Sequence, residues 1–139
     1  MSLPPGAQLR PPMGLPAGRV LLVVLTAVLS MVASLAGILL GVAVTSSADG
    51  SLTDLGGAVV GYWIGTAVGA AIGSWSAQYA RGRPGWRVPL AALLLGLALP
   101  LPWAALLNGQ LSFVVWIVVG LLTLATDVLV ERRAARSSA

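Results

Sequence analysis

GAVVGYWIGTAVGAAIGSWSA, residues 57–77, places Gly57, Gly61, Gly65, Gly69 and Gly73 at every fourth position and closes the series with Ala77. Residues four apart share one face of an α-helix. The run therefore reads as a helix carrying a stripe without side chains, a glycine zipper along which a second backbone can approach closely. Each step of four turns about 400° at 3.6 residues per turn, so the stripe drifts by about 40° per step and winds around the helix. A winding stripe favours an inclined, right-handed crossing. From Gly57 to Ala77 the rise is about 30 Å at 1.5 Å per residue, close to the hydrocarbon thickness of a bilayer.

The rest of the composition agrees with a membrane setting. Of 139 residues, 58% are hydrophobic and only 9% charged, with a mean hydropathy of +0.94, outside the range of soluble domains. Histidine and cysteine are absent, and all eight basic residues are arginine. Without imidazole or thiol there is no Ser-His or Cys-His nucleophile and none of the usual metal ligand sets. Asp54 stands at the start of its apolar run and Asp127 is the lone carboxylate deeper inside one, so an intramembrane protease built on two aspartates is excluded. Glycines at period four inside a helix do not form a phosphate-binding turn. No catalytic residue, cofactor or metal is expected. The arginines lie at the ends of apolar runs and make no stripe with interleaved aromatics, so nucleic acid is not an expected partner.

Four apolar runs, 20–44, 53–79, 88–107 and 111–130, predict an all-α integral membrane four-helix bundle made of two antiparallel transmembrane hairpins. Residues 1–19, with Pro4, Pro5, Pro11, Pro12 and Pro16, read as a disordered Pro/Gly-rich tail, and 131–139 as a short basic one. The first run is too long for the apolar segment of a signal peptide. Its Thr26, Ser30, Ala33, Gly37, Gly41 and Thr45 form a second small-residue face, expected to pack against the glycine stripe. Asp49-Gly50 signals a turn, and Ser51 and Asp54 have capping-box spacing. Pro100 and Pro102 predict a kink in the third span, and Asn108-Gly109-Gln110 a three-residue connection to the fourth.

Charge sets an orientation. Arg10 and Arg19 precede the first run, Arg81, Arg83 and Arg87 separate the second and third, and Arg132, Arg133 and Arg136 follow the fourth. All eight fall on one side, so the positive-inside rule puts both termini and the central loop in the cytoplasm, here of a bacterial inner membrane. Arg81, Arg83 and Arg87, with Trp75, Tyr79 and Trp86 nearby, read as an interfacial belt touching anionic lipid headgroups. Asp127 sits one turn from Glu131. It reads as an interfacial ion pair with an arginine of the 81–87 loop, against the alternative of a proton relay.

Two functions fit these features. One is a non-catalytic accessory or assembly subunit whose small-residue faces bind its own helices and those of a larger membrane complex. The alternative is a homo-oligomeric glycine-zipper channel or small transporter. A conducting path needs polar groups along it, and the apolar runs offer only sparse hydroxyls such as Thr26, Ser30, Ser34, Thr66 and Ser74. That contrast favours the subunit.

Overall fold

In the computed structural model the described residues are 14–46, 51–83, 85–98 and 109–137; they are almost wholly helical, with no strand among them. Four helices follow one another: α1 Leu15–Thr45, α2 Ser51–Ala80, α3 Arg87–Ala98 and α4 Gly109–Ser137. α1, α2 and α4 are long and apolar enough to cross a membrane. α3 has 12 residues and rises about 18 Å, short of a full span. The remainder of the expected third span, with Pro100 and Pro102, lies outside the described residues, as do the Asp49-Gly50 turn and the side chains of Ser51 and Asp54.

α1 and α4 differ from their expected bounds. α1 starts at Leu15 instead of Val20, because Pro16 occupies the first turn, where a missing N–H forfeits no intrahelical bond. The Gly18 N–H already reaches the Gly14 carbonyl at 3.0 Å. α4 begins at Gly109, so Gly109 and Gln110 belong to its first turn and not to a linker. It then continues past residue 130 to Ser137 through arginines, alanines and Glu131, all good helix formers.

Burial repeats every fourth residue in all four helices. The buried rows are Gly18, Leu22, Thr26, Ser30 and Ser34 on α1, then Val88, Ala92 and Gly96 on α3, and Val115, Val119, Thr123 and Asp127 on α4. α2 has two adjacent rows: Gly65, Gly69, Gly73 and Ala77 on one, and Tyr62, Thr66, Ala70, Ser74 and Gln78 on the other. Rows of this period pack by interdigitation of i±4 ridges, so helices cross instead of running along a heptad seam. Their opposite faces, such as Val20, Val24, Val28 and Val32, are exposed as lipid-facing surfaces require.

The first row of α2 seats α1. A Cβ built on Gly57, Gly61, Gly65, Gly69 or Gly73 would lie closer than 3.0 Å to the carbonyl oxygen of Gly41, Gly37, Ala33, Leu29 or Leu25, respectively. Each step of four up α2 is thus met by a step of four down α1, which defines an antiparallel register kept for about 24 Å. The second row faces α3 and α4. Tyr62 and Ala70 join Ala92, Val115, Trp116 and Val119 in the apolar core. Gly96 of α3 lies over Ala67, where a Cβ would come to 2.6 Å from the Ala67 Cα. The Trp63 Nε1–H donates to the Leu97 carbonyl at 3.0 Å, adding a polar tie between α2 and the last described turn of α3.

Several interior hydroxyls turn back on their own helix. Ser34 donates to Met31 O, Thr66 to Tyr62 O, Ser74 to Ala71 O and Thr123 to Val119 O, at 2.7–3.0 Å. This i−3 or i−4 bonding satisfies the hydroxyl locally and lets a polar residue serve as a small packing residue.

Candidate functional site at the arginine end

α2 ends in a Schellman turn. The Arg83 N–H reaches the Gln78 carbonyl at 3.1 Å and the Gly82 N–H the Tyr79 carbonyl at 3.0 Å, with Gly82 at φ +68°. Only glycine takes that left-handed conformation without strain, so Gly82 is what stops the helix. The turn leaves Arg81 at the C-cap and sends the chain, through Arg83, towards α4.

There the period-four rows meet. Gln78 is the last buried member of its row on α2, Asp127 the last on α4, and Gly18 the first on α1. The Gln78 Nε2–H donates to Asp127 Oδ1 and an Arg81 guanidinium N–H to Asp127 Oδ2, each at 2.7 Å. Glu131, one turn further along α4 and on the same face, accepts from Arg81 at 3.3 Å and from Arg83, and pairs with Arg19 of α1 at 3.5 Å. Gly18 leaves room for the Arg81 stem: a Cβ there would lie 3.1 Å from the Arg81 Nε. Three helices and one loop are thereby tied by a single network.

Burial sorts the members. The side chains of Arg81 and Asp127 are each 6% exposed, whereas that of Arg83 is 57% exposed. A buried ion pair recovers its desolvation cost only where geometry is good and the remaining donors and acceptors are engaged. Both oxygens of Asp127 are engaged, and Arg81 also reaches Glu131. The expected ion pair of Asp127 with the 81–87 loop is therefore present, and its partner is Arg81. The same burial removes Arg81 from the expected headgroup contacts, because its guanidinium faces two carboxylates inside the protein. Arg83 is shared with Glu131, and Arg87 is exposed.

Beside the network, clefts open between the start of α3 and α4. One of about 340 Å³ reaches from Trp86 and Arg87 down to Gln78, Asp127 and Glu131. Another, of about 620 Å³, lies between Trp86 and Arg87 on one wall and Val130, Arg133 and Ala134 on the other.

The opposite half of the molecule carries an apolar groove of about 660 Å³ between α1 and α2. Gly37, Gly41, Gly57 and Gly61 form its floor, with Leu40 and Val44 on one rim and Val60, Ile64 and Val68 on the other. No described residue of α3 or α4 lines it. Of the residues expected as a packing face, Ala33, Gly37, Gly41, Gly57, Gly61, Gly65, Gly69 and Gly73 are thus brought together at the α1–α2 contact, with their loop-side half also lining the groove, and Ala77 is fully buried further along α2.

Sequence reasoning missed Gln78, Gly18, Gly96 and Trp63. Gln78 was legible as the next member after Ser74 of a period-four series. Among the described residues no three of His, Cys, Asp and Glu group as metal ligands would. Compared with known proteins, the chain matches no family model, no curated protein and no solved structure.

Proposed function

We propose that this chain is a non-catalytic membrane subunit, an accessory or assembly factor that holds a transmembrane helix of a larger complex in the α1–α2 groove. The observation that carries the proposal is that groove: the period-four glycines of α2 lie against the α1 backbone, and the open edge between the two helices is lined by glycines and apolar side chains that would suit a further helix. Small-residue surfaces of this kind let helices approach within the bilayer, where packing drives association. The rims are β-branched and leucine side chains, and the floor offers almost no polar atom, which suits an apolar helix and not an ion path.

The alternative, a homo-oligomeric channel or small transporter, would place copies of the chain against the same groove. It is less well supported, because the glycines that would line a zipper pore already seat α1 and several of the interior hydroxyls bond their own helices. The proposal includes a bacterial inner-membrane location with both termini cytoplasmic, for which the charge bias is the support. Membrane-impermeant labelling of cysteines placed at Ser2 and at Ser51 tests that orientation, and labelling of both from one side contradicts it.

The subunit reading is tested by native mass spectrometry of the chain released gently from its own membrane, alongside Val60→Trp, which fills the groove from its rim. A foreign membrane subunit in fixed stoichiometry, lost in Val60→Trp, is expected. Partner-free monomer from the wild type contradicts the reading, and a homo-oligomer abolished by Val60→Trp moves it to the channel alternative.

A further inference from the structure

Charge at the arginine end does not balance, and the surplus is localised. Within the network, Arg19, Arg81 and Arg83 face Asp127 and Glu131, three positive charges against two negative. The carboxylates are therefore already neutralised and leave no demand for a further cation. Arg87 and Arg133 add two more positive charges across the 620 Å³ cleft, and neither forms an ion pair among the described residues. Arg87 is also the first residue of α3, whose N-terminal end contributes a partial positive charge to the same space.

The walls add a second requirement. Val130 and Ala134 line one side of the cleft, and Trp86, 66% exposed, stands at its rim. An indole at this position is suited to headgroup depth, with apolar surface towards the acyl chains. A free inorganic anion would satisfy the arginines but leave the apolar wall and the indole unused. A phosphodiester attached to acyl chains satisfies both.

We infer that the cleft between Arg87 and Arg133 binds the phosphate of an anionic phospholipid, with Trp86 and Val130 against its glycerol and upper acyl region. The site differs from a general basic belt in being made by two particular arginines on separate elements, and Arg81 and Arg83 take no part because Asp127 and Glu131 occupy them. It is independent of the α1–α2 groove, so its failure would leave the subunit proposal standing, and the reverse.

The test is native mass spectrometry of the full chain in detergent with equimolar phosphatidylglycerol and phosphatidylcholine of matched acyl chains. Two arginines near the membrane surface predict a preference for phosphatidylglycerol of at least about tenfold. Arg87→Gln/Arg133→Gln is expected to bring the ratio near one, and Arg87→Gln alone, which leaves α4 untouched, to give an intermediate ratio. Arg132→Gln/Arg136→Gln removes the same charge from residues that do not line the cleft and is expected to keep the preference. Equal retention of the two lipids by the wild type, or equal losses in the two double variants, would overturn the site. Displacement of phosphatidylglycerol by millimolar inorganic phosphate would overturn the lipid as its ligand.

Discussion

Gly56 and Gly57 are neighbours in the chain, yet a Cβ on Gly56 would meet nothing within 4 Å, while one on Gly57 would lie 2.5 Å from the Gly41 carbonyl oxygen and from the Thr45 hydroxyl. Gly56→Ala should therefore be neutral or raise stability by up to about 1 kcal/mol, since alanine is the better helix former. Gly57→Ala must push two backbones apart and should cost about 1–3 kcal/mol, the usual range for overpacking. Thermal unfolding of the two variants in one detergent decides the matter. Equal melting temperatures would mean that α1 does not touch α2 at Gly57. The period-four glycines were readable in the sequence because an unbroken GxxxG run has few other uses. Gly18 and Gly96 were not, since Gly18 falls in a Pro/Gly-rich stretch and Gly96 stands alone in α3, and each acquires its role from Arg81 or Ala67, residues distant in the chain.

At the level of elements, α2 organises the bundle by presenting two rows side by side, one to α1 and one to α3 and α4. Its end is fixed by the Gly82 turn and its last row member, Gln78, meets α4. Because Arg81 is buried and Arg83 is exposed, the two arginines should differ sharply. Arg81→Leu leaves Asp127 buried without its charge partner, which typically costs about 3–5 kcal/mol. Arg83→Leu loses a solvent-exposed pair and should cost no more than about 1 kcal/mol. Arg81→Leu/Asp127→Leu should recover much of the loss of the single variant, because no uncompensated charge remains. Similar melting temperatures for Arg81→Leu and Arg83→Leu would show that the network does not hold α4 in place. The pairing of Asp127 with the 81–87 loop was legible from charge alone. Which arginine takes the role was not, because it follows from the C-cap geometry that points Arg81 inward. The start of α1 was misread for a related reason: the proline-rich tail hid that Pro16 is compatible with a first helical turn.

For the molecule as a whole, the helical, membrane-suited architecture follows from composition and run length, and the arginine end from charge placement. What composition could not convey is that all four helices obey the same period. The α1 row of Leu22, Thr26, Ser30 and Ser34 and the α4 row of Val115, Val119, Thr123 and Asp127 mix sizes and polarities, so no residue type marks them as it marks the glycines. Their common period makes the crossing geometry a property of the bundle and not of α2 alone, and it brings Gln78, Asp127 and Gly18 to one end. The cleft between Arg87 and Arg133 and the α1–α2 groove then lie at opposite halves of the molecule, one charged and one apolar.

The whole bundle depends on α1 and α2 of the same chain packing backbone to backbone in this antiparallel register. A Cβ at Gly69 would lie 2.8 Å from the Ala33 Cβ, so Ala33→Cys/Gly69→Cys, in a chain with no cysteine of its own, needs only a small separation of the helices to reach the Cβ spacing of a disulfide, about 3.5–4.5 Å. Mild oxidation in native membranes followed by non-reducing electrophoresis and peptide mapping is the most direct measurement. A cross-link within one chain, forming readily and leaving a monomer, is predicted. Cross-links found only between chains, or no disulfide while an out-of-register pair such as Ala33→Cys/Gly61→Cys closes, would contradict this packing.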